Sequence, residues 1–167
     1  MKLLYNFASR SRPDKLFGVL DNITNLSKHD NYEIIITADL DDSSMYNREV
    51  IDKINTYTKV KIFFGTSKNK IDAINKNVAF FGEFNILVNI SDDQLFLIDG
   101  FDLEIIKDMQ EFFPDTDGFL HYPDSHAKEK LPTMSIMGKK YFDRTGKIYN
   151  EKFSNVYCDN LAMDEAI

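Results

Sequence analysis

Short apolar runs alternate with longer amphipathic stretches along this chain, the pattern of strands and helices laid down in turn on a mainly parallel sheet. Lys2–Ala8 reads as a first, buried strand. Ser11 to Asp14 then opens a helix: Ser11 can cap it, Pro13 suits its first turn, and Asp14 can close a capping box. Leu16, Val19, Leu20 and Ile23 follow at helical spacing and define its inward face. Tyr32–Ala38 predicts a second strand, ended by the polar run Asp39–Ser44, and Val50, Ile51 and Ile54 mark the next helix. Val60–Phe64 is a third strand, stopped by Gly65, and Lys70–Val78 a helix with Ile71, Ile74 and Val78 on one side. Ile86–Ile90 is a fourth strand that ends abruptly at Ser91-Asp92-Asp93. A helix over Phe101–Phe113 and a short strand over Gly118–Tyr122 follow. From about Leu131 the pattern is less regular, with a strand near Met134–Met137, a turn at Gly146 and a final helix from about Asn160.

No repeat or Pro/Gly-rich linker interrupts this order, and 167 residues with 43% hydrophobic content supply one core but not two. The expectation is a single α/β domain over 1–167, a mainly parallel sheet flanked by helices. A net charge of −7 argues against broad nucleic-acid binding, which needs clustered Lys and Arg. It leaves room for one phosphorylated ligand, because a metal ion reverses the local field. The single cysteine, Cys158, excludes an intrachain disulfide and is consistent with a reducing compartment. The apolar start is too short for a signal-peptide core, and no segment reaches the length of a membrane span. A soluble, cytoplasmic protein is expected.

Open α/β sheets bind ligands beyond the carboxyl ends of their strands. Four polar segments fall there: Ser9–Arg12, Asp39–Ser44, Ser67–Lys70 and Asp92–Asp93. Adjacent carboxylates repel, so a site that holds Asp92 and Asp93 together gains from a cation; hard oxygen donors suit Mg²⁺ or Mn²⁺, which bind one or two carboxylates plus substrate phosphates. The other reading of the pair is an exposed acidic turn capping the next helix. Of Asp39, Asp41 and Asp42, one can accept hydrogen bonds from a nucleobase or ribose; Asp39 lies nearest the strand and is preferred, while Asp42 or Ser43 can cap the next helix. Ser67 to Lys70 precedes a helix whose first amides attract anions, and Lys70 is the choice for a diphosphate or base. Arg10 and Arg12 invite the same reading, and all three are equally plain surface cations. Asp159 can serve as a general base, or as the N-cap of the last helix, and Asp124, Asp143 and Asp164 are other acids in that half. His121 and His126 lack metal-ligand spacing and read as structural or surface residues, and Cys158 as buried and inert. No Walker motif, GxGxxG or GxSxG is present.

The order of motifs resembles a family 2-type glycosyltransferase of GT-A fold over nearly the whole chain. The resemblance is carried by FASRSRPDKL, IIITADLDDSSM, GTSKNKIDAINKNV, ILVNISDDQLFLIDGFD and MGKKYFDRTGKIYNEKFSNVYCDN. It implies a nucleotide-binding half over about 1–100 and an acceptor half over about 101–167. It implies that Ser9, Arg10 and Asp39 hold the nucleoside, that Lys70, with Asn75 nearby, forms the basic segment, and that Asp92 contacts the ribose or metal shell. Asp93 would be the direct ligand of Mn²⁺ or Mg²⁺ and Asp159 the catalytic acid residue that activates the acceptor. The implied partners are a UDP- or GDP-sugar donor and an unidentified glycan, lipid or protein acceptor, with transfer by inversion. Two departures accompany it: Gln94 stands where the family has a third acid, which implies weaker metal affinity, and family members usually carry more residues after the position of Asp159. These motivate a second reading, a non-catalytic nucleotide-sugar-binding module or partner subunit. A nucleotidyltransferase on a related sheet is a third, opposed by the lack of a glycine-rich triphosphate loop.

Overall fold

The computed structural model describes residues 1–81, 83–123, 133–152 and 158–166. Six strands form one sheet: β1 (Leu3–Ala8), β2 (Tyr32–Asp39), β3 (Val60–Gly65), β4 (Ile86–Asn89), β5 (Phe119–Leu120) and β6 (Ser135–Gly138). Their order across the sheet is β3-β2-β1-β4-β6-β5. The first four strands run parallel, with β1 between β2 and β4; β6 is antiparallel to β4, and β5 to β6. The chain therefore steps outward from β1 to β3 on one side and returns to the other side of β1 as β4. That reversal makes the carboxyl ends of β1 and β4 the switch point at which such sheets open a crevice.

Side chains alternate across the sheet, and both faces are covered, so the central strands read as continuous apolar runs. Leu3, Tyr5 and Phe7 of β1, with Ile34 and Ile36 of β2 and Ile86 and Val88 of β4, face one layer. That layer consists of α1 (Pro13–Leu26), α2 (Arg48–Ile54) and α4 (Phe101–Phe112), which contribute Leu16, Leu20, Ile23, Val50, Ile54, Ile105 and Met109. Leu4, Ile35, Leu87 and Met137 face the other layer: α3 (Lys70–Asn75), α5 (Lys139–Thr145) and α6 (Cys158–Ala166). Each fully buried Leu or Ile contributes on the order of 1.5–3 kcal/mol relative to exposure.

Four expectations are corrected. Ser11 does not cap α1; Arg12 holds that position with no side-chain cap, while Ser11 takes a left-handed φ of 59°. Neither Asp42 nor Ser43 caps α2; Asn47 does, accepting from the Val50 amide. The helix from Lys70 stops at Asn75, and Val78–Phe80 forms a separate 3-10 turn. The C-terminal part contains α5, which the apolar pattern does not announce, and the last helix begins at Cys158, so Asp159 lies inside its first turn and is not its N-cap. Among the described residues no helix is long and apolar enough to cross a membrane.

Candidate functional site: a cleft at the sheet's switch point

Two buried hydrogen bonds close the switch point. Ser9, just past β1, donates through Oγ to Asp92 Oδ2 at 2.7 Å, and Asn6 Nδ2 of β1 donates to Asn89 Oδ1 of β4 at 3.0 Å. Asn89 Nδ2 continues the chain to the hydroxyl of Tyr149 at 3.3 Å, to which Ser135 Oγ is also bonded at 3.2 Å. Burial pushes the Tyr149 phenol upward, with the charge of Asp159 acting in the same direction. These partners support the floor of a cleft of ≈ 60 Å³ lined by Arg12, Lys70, Ser91, Thr133, Tyr149 and Asp159, among others. Lys70 and Asp159, 89 positions apart in sequence, thus face one space.

Asp92 and Asp93 differ sharply in environment. Asp92 is fully buried, whereas the Asp93 side chain is 43% exposed. Arg12 joins them: its Nη2 lies 2.6 Å from Asp92 Oδ1 and its Nη1 3.1 Å from Asp93 Oδ2. The approach to Asp92 Oδ1 falls outside hydrogen-bond directions, so among the described residues this buried oxygen has a charge partner but no directed donor. For Asp93, a hydrogen bond from Ser91 is the largest influence; burial opposes it, and the charges of Arg12 and Lys15 reinforce it, so the carboxyl is held below its ordinary range. The pair is therefore not an exposed helix-capping turn.

The loop after β2 forms a second ionic clasp. Asp39 accepts from the Ser67 amide at 2.9 Å and from Arg10 Nη1 at 2.8 Å. Arg10 also forks onto both oxygens of Asp41, at 2.8 and 3.0 Å. Asp42 is buried and structural: it accepts from the Ser11 amide at 2.6 Å and from the amide and hydroxyl of Ser44 at 3.1 and 2.6 Å. It thereby ties the loop after β1 to the loop after β2.

Three further positions from the sequence have local partners here. In the segment before α3, Ser67 N–H is bonded to Asp39, Lys68 N–H to Asp72 and Asp72 N–H to Asn69, which leaves the first two helical amides, those of Lys70 and Ile71, to attract an anion. These amides and the Lys70 side chain carry that reading. Asn75 braces the chain after α5: it accepts from the amides of Ile148 and Tyr149 and donates to the Tyr149 carbonyl. Gln94 staples its turn, accepting from the Ser91 amide at 2.8 Å and donating to the Thr133 carbonyl at 3.0 Å. Of the other acids in this half, Asp143 pairs with Lys139, Asp164 is exposed, and Asp124, like His126, lies outside the described residues. Asp159 accepts a hydrogen bond from the Cys158 thiol at 2.8 Å. The bridging role of Arg12 and the supporting roles of Asn89 and Tyr149 had no local signal, since their partners lie tens of residues away.

Among the described residues no group of three or more His, Cys, Asp or Glu side chains comes together that could hold a metal ion. Asp93 with Asp92 Oδ1 is a thin donor set. It would suit Mg²⁺ or Mn²⁺ if further oxygen donors completed the shell. A larger cavity of ≈ 300 Å³, between Thr24, Tyr32, Tyr57 and Lys59, opens at the amino ends of β2 and β3 and contains none of these groups.

This arrangement of sheet and switch point is the GT-A fold. Among solved structures the chain is similar to the mannosyltransferase PcManGT from Pyrobaculum calidifontis, in complex with GDP-Man and Mn²⁺. The TM-score is 0.72 at 13% identity, covering 95% of this chain and 49% of that one. It is similar to S. aureus TarS 1–349 in complex with UDP, with TM-score 0.74 at 11% identity, covering 99% of this chain and 55% of that one. The chain therefore spans about half the length of PcManGT and of the TarS 1–349 fragment. A weaker likeness, TM-score 0.57 at 12% identity, is to the 4-diphosphocytidyl-2C-methyl-D-erythritol synthase from Anaerococcus prevotii, covering 98% of this chain and 82% of that one. No family model and no curated protein matches the sequence.

Proposed function

We propose that the protein is a glycosyltransferase acting in the cytoplasm, moving a sugar from a nucleotide-diphosphate donor to an acceptor hydroxyl with inversion. The observation that carries this reading is the convergence of Arg12, Lys70, Ser91 and Asp159 on one cleft, with the Asp92–Asp93 pair bound to Arg12 at its rim. Structural neighbours hold GDP-Man, UDP and UDP-GlcNAc, which supports a donor of that class. Residues 1–100 hold the donor and 101–167 face the acceptor.

In this reading Asp39, the last residue of β2, accepts from the nucleoside, with Ser9 and Arg10 at its side. Arg10 now occupies Asp39, so the base displaces one arm of a solvent-screened ion pair, a weak contact. Lys70 contributes a positive charge to the diphosphate. Asp92 fixes the rim through Ser9, and Asp93 presents the accessible carboxylate for Mn²⁺ or Mg²⁺, which when bound would neutralise the departing diphosphate. Asp159 takes the proton of the acceptor hydroxyl as that oxygen attacks the anomeric carbon. The displaced bond is on the opposite face, and the configuration inverts.

Calorimetric titration with UDP and GDP, with and without Mn²⁺, tests the donor site. At least one diphosphate is expected to bind, more tightly with Mn²⁺; failure of both removes this reading. Donor hydrolysis that falls on Asp159→Asn separates an enzyme from a non-catalytic binding module, which binds nucleotide and is indifferent to that change.

A further inference from the structure

Resting on the proposed donor site, we infer that Arg12 is an exchangeable internal cation: it occupies the place of the divalent ion on Asp92 and Asp93, and yields that place only when a diphosphate arrives to receive it. The two carboxylates already have a cation between them, with contacts at 2.6 and 3.1 Å. Asp92 is fully buried and cannot follow a departing partner into solvent, whereas the Arg12 side chain is 41% exposed and can. A buried carboxylate left without a positive partner is costly, so Arg12 does not leave unless another cation replaces it. Asp92 Oδ2 stays anchored by Ser9, while Oδ1 lacks a directed donor and is poised to accept a ligand bond in place of the guanidinium.

The location of Arg12 makes the exchange productive. It also lines the cleft that contains Lys70 and Asp159, so a short swing moves its charge from the carboxylates to the anionic leaving group. A guanidinium binds phosphate oxygens through two parallel N–H groups, which an ammonium cannot do. Metal without nucleotide then meets a pair already bridged by a guanidinium, and nucleotide without metal meets an arginine still held. Each ligand favours the other because both act on the same side chain, and such coupling is reciprocal.

The experiment measures Mn²⁺ binding from the free-ion paramagnetic resonance signal, with no nucleotide present, in the wild type, Arg12→Gln and Arg12→Lys. Removing the competing cation is expected to tighten Mn²⁺ binding by about tenfold in R12Q, the worth of one charge-assisted contact. R12K, which retains a charge but cannot bridge both carboxylates, should fall between. Adding UDP or GDP should tighten Mn²⁺ binding in the wild type more than in R12Q. Thermal unfolding checks each variant's fold, and R12K alone suffices if R12Q does not fold. Equal Mn²⁺ affinity in the wild type and a folded variant overturns the inference. Failure of UDP and GDP to bind in every arm overturns the donor-site reading instead, and the nucleotide-free comparison still decides whether Arg12 competes with metal.

Discussion

Asp42 is the residue whose replacement most directly probes how the site is held in shape. It is buried, 6% exposed, and its two oxygens accept from three donors: Ser11 N–H at 2.6 Å, Ser44 N–H at 3.1 Å and Ser44 Oγ at 2.6 Å. Asp42→Asn keeps the shape but turns one acceptor into a donor. If the amide oxygen keeps both Ser44 contacts, the amide nitrogen confronts the Ser11 N–H; if it flips, two contacts are lost. The smaller loss is one charge-assisted hydrogen bond, about 1.5–3 kcal/mol. For a domain of this size that corresponds to a fall in Tm of roughly 5–10 °C. Burial raises the Asp42 pKa, but the bonds from Ser44 and Ser11 outweigh it and the net direction is downward. A depressed carboxylate stabilises the fold above its unfolded pKa of about 3.9, and that stability is lost as pH falls through the lower folded value. The gap between wild type and D42N should therefore hold from pH 7 to about pH 4 and narrow below it. Urea denaturation across that range, at unchanged m-value, is the assay. A D42N protein within about 0.5 kcal/mol of wild type at pH 7, the scatter of a neutral surface change, would refute the reasoning.

Gln94→Glu, which restores an acid at the position where the resembled family has one, should destabilise the protein by about 1–3 kcal/mol, because a carboxylate oxygen then faces the Thr133 carbonyl. It should not tighten Mn²⁺ binding, since its other oxygen is engaged by the Ser91 amide; unchanged stability with tighter metal would contradict this. Burial, followed by the hydrogen bond and charge of Asp159, pushes the Cys158 thiol up to about 12. At pH 8 its thiolate fraction is then roughly a thousandfold below that of a free cysteine. Iodoacetamide followed by mass spectrometry should show slow labelling of native protein and fast labelling in denaturant; equal rates would refute it.

β1, β2 and β4 were legible within a residue or two because both faces of each are buried, leaving continuous apolar runs between polar tips, and the edge strand β3 shows as a shorter run, VKIFF, stopped by Gly65. The same logic placed Ser9, Asp39, Lys70 and Asp92 near one sheet edge. What the sequence withheld was mostly non-local. Arg12 meets Asp93 across 81 positions, and Asn75 braces Tyr149 across 74; no periodicity encodes either contact. Local chemistry misled at the start of α1: Ser11 looks like a helix cap, yet its amide is held by Asp42 and Arg12 stands in the cap position without a side-chain cap bond. The helix α5 was missed because it starts directly from the strand at Gly138 with no polar cap. That glycine is required by a close approach, since a Cβ there would lie 2.1 Å from the Thr116 carbonyl oxygen.

The central claim is that a nucleoside diphosphate lies at the carboxyl ends of β1 and β4, and a crystal structure of the protein soaked with UDP or GDP and Mn²⁺ tests it most directly. The account predicts density for the diphosphate between Arg12 and Lys70, manganese on Asp93, and Asp39 at the nucleoside. Nucleotide bound elsewhere, such as the cavity near Tyr57 and Lys59, with Arg12 still clasped to both aspartates, would contradict it.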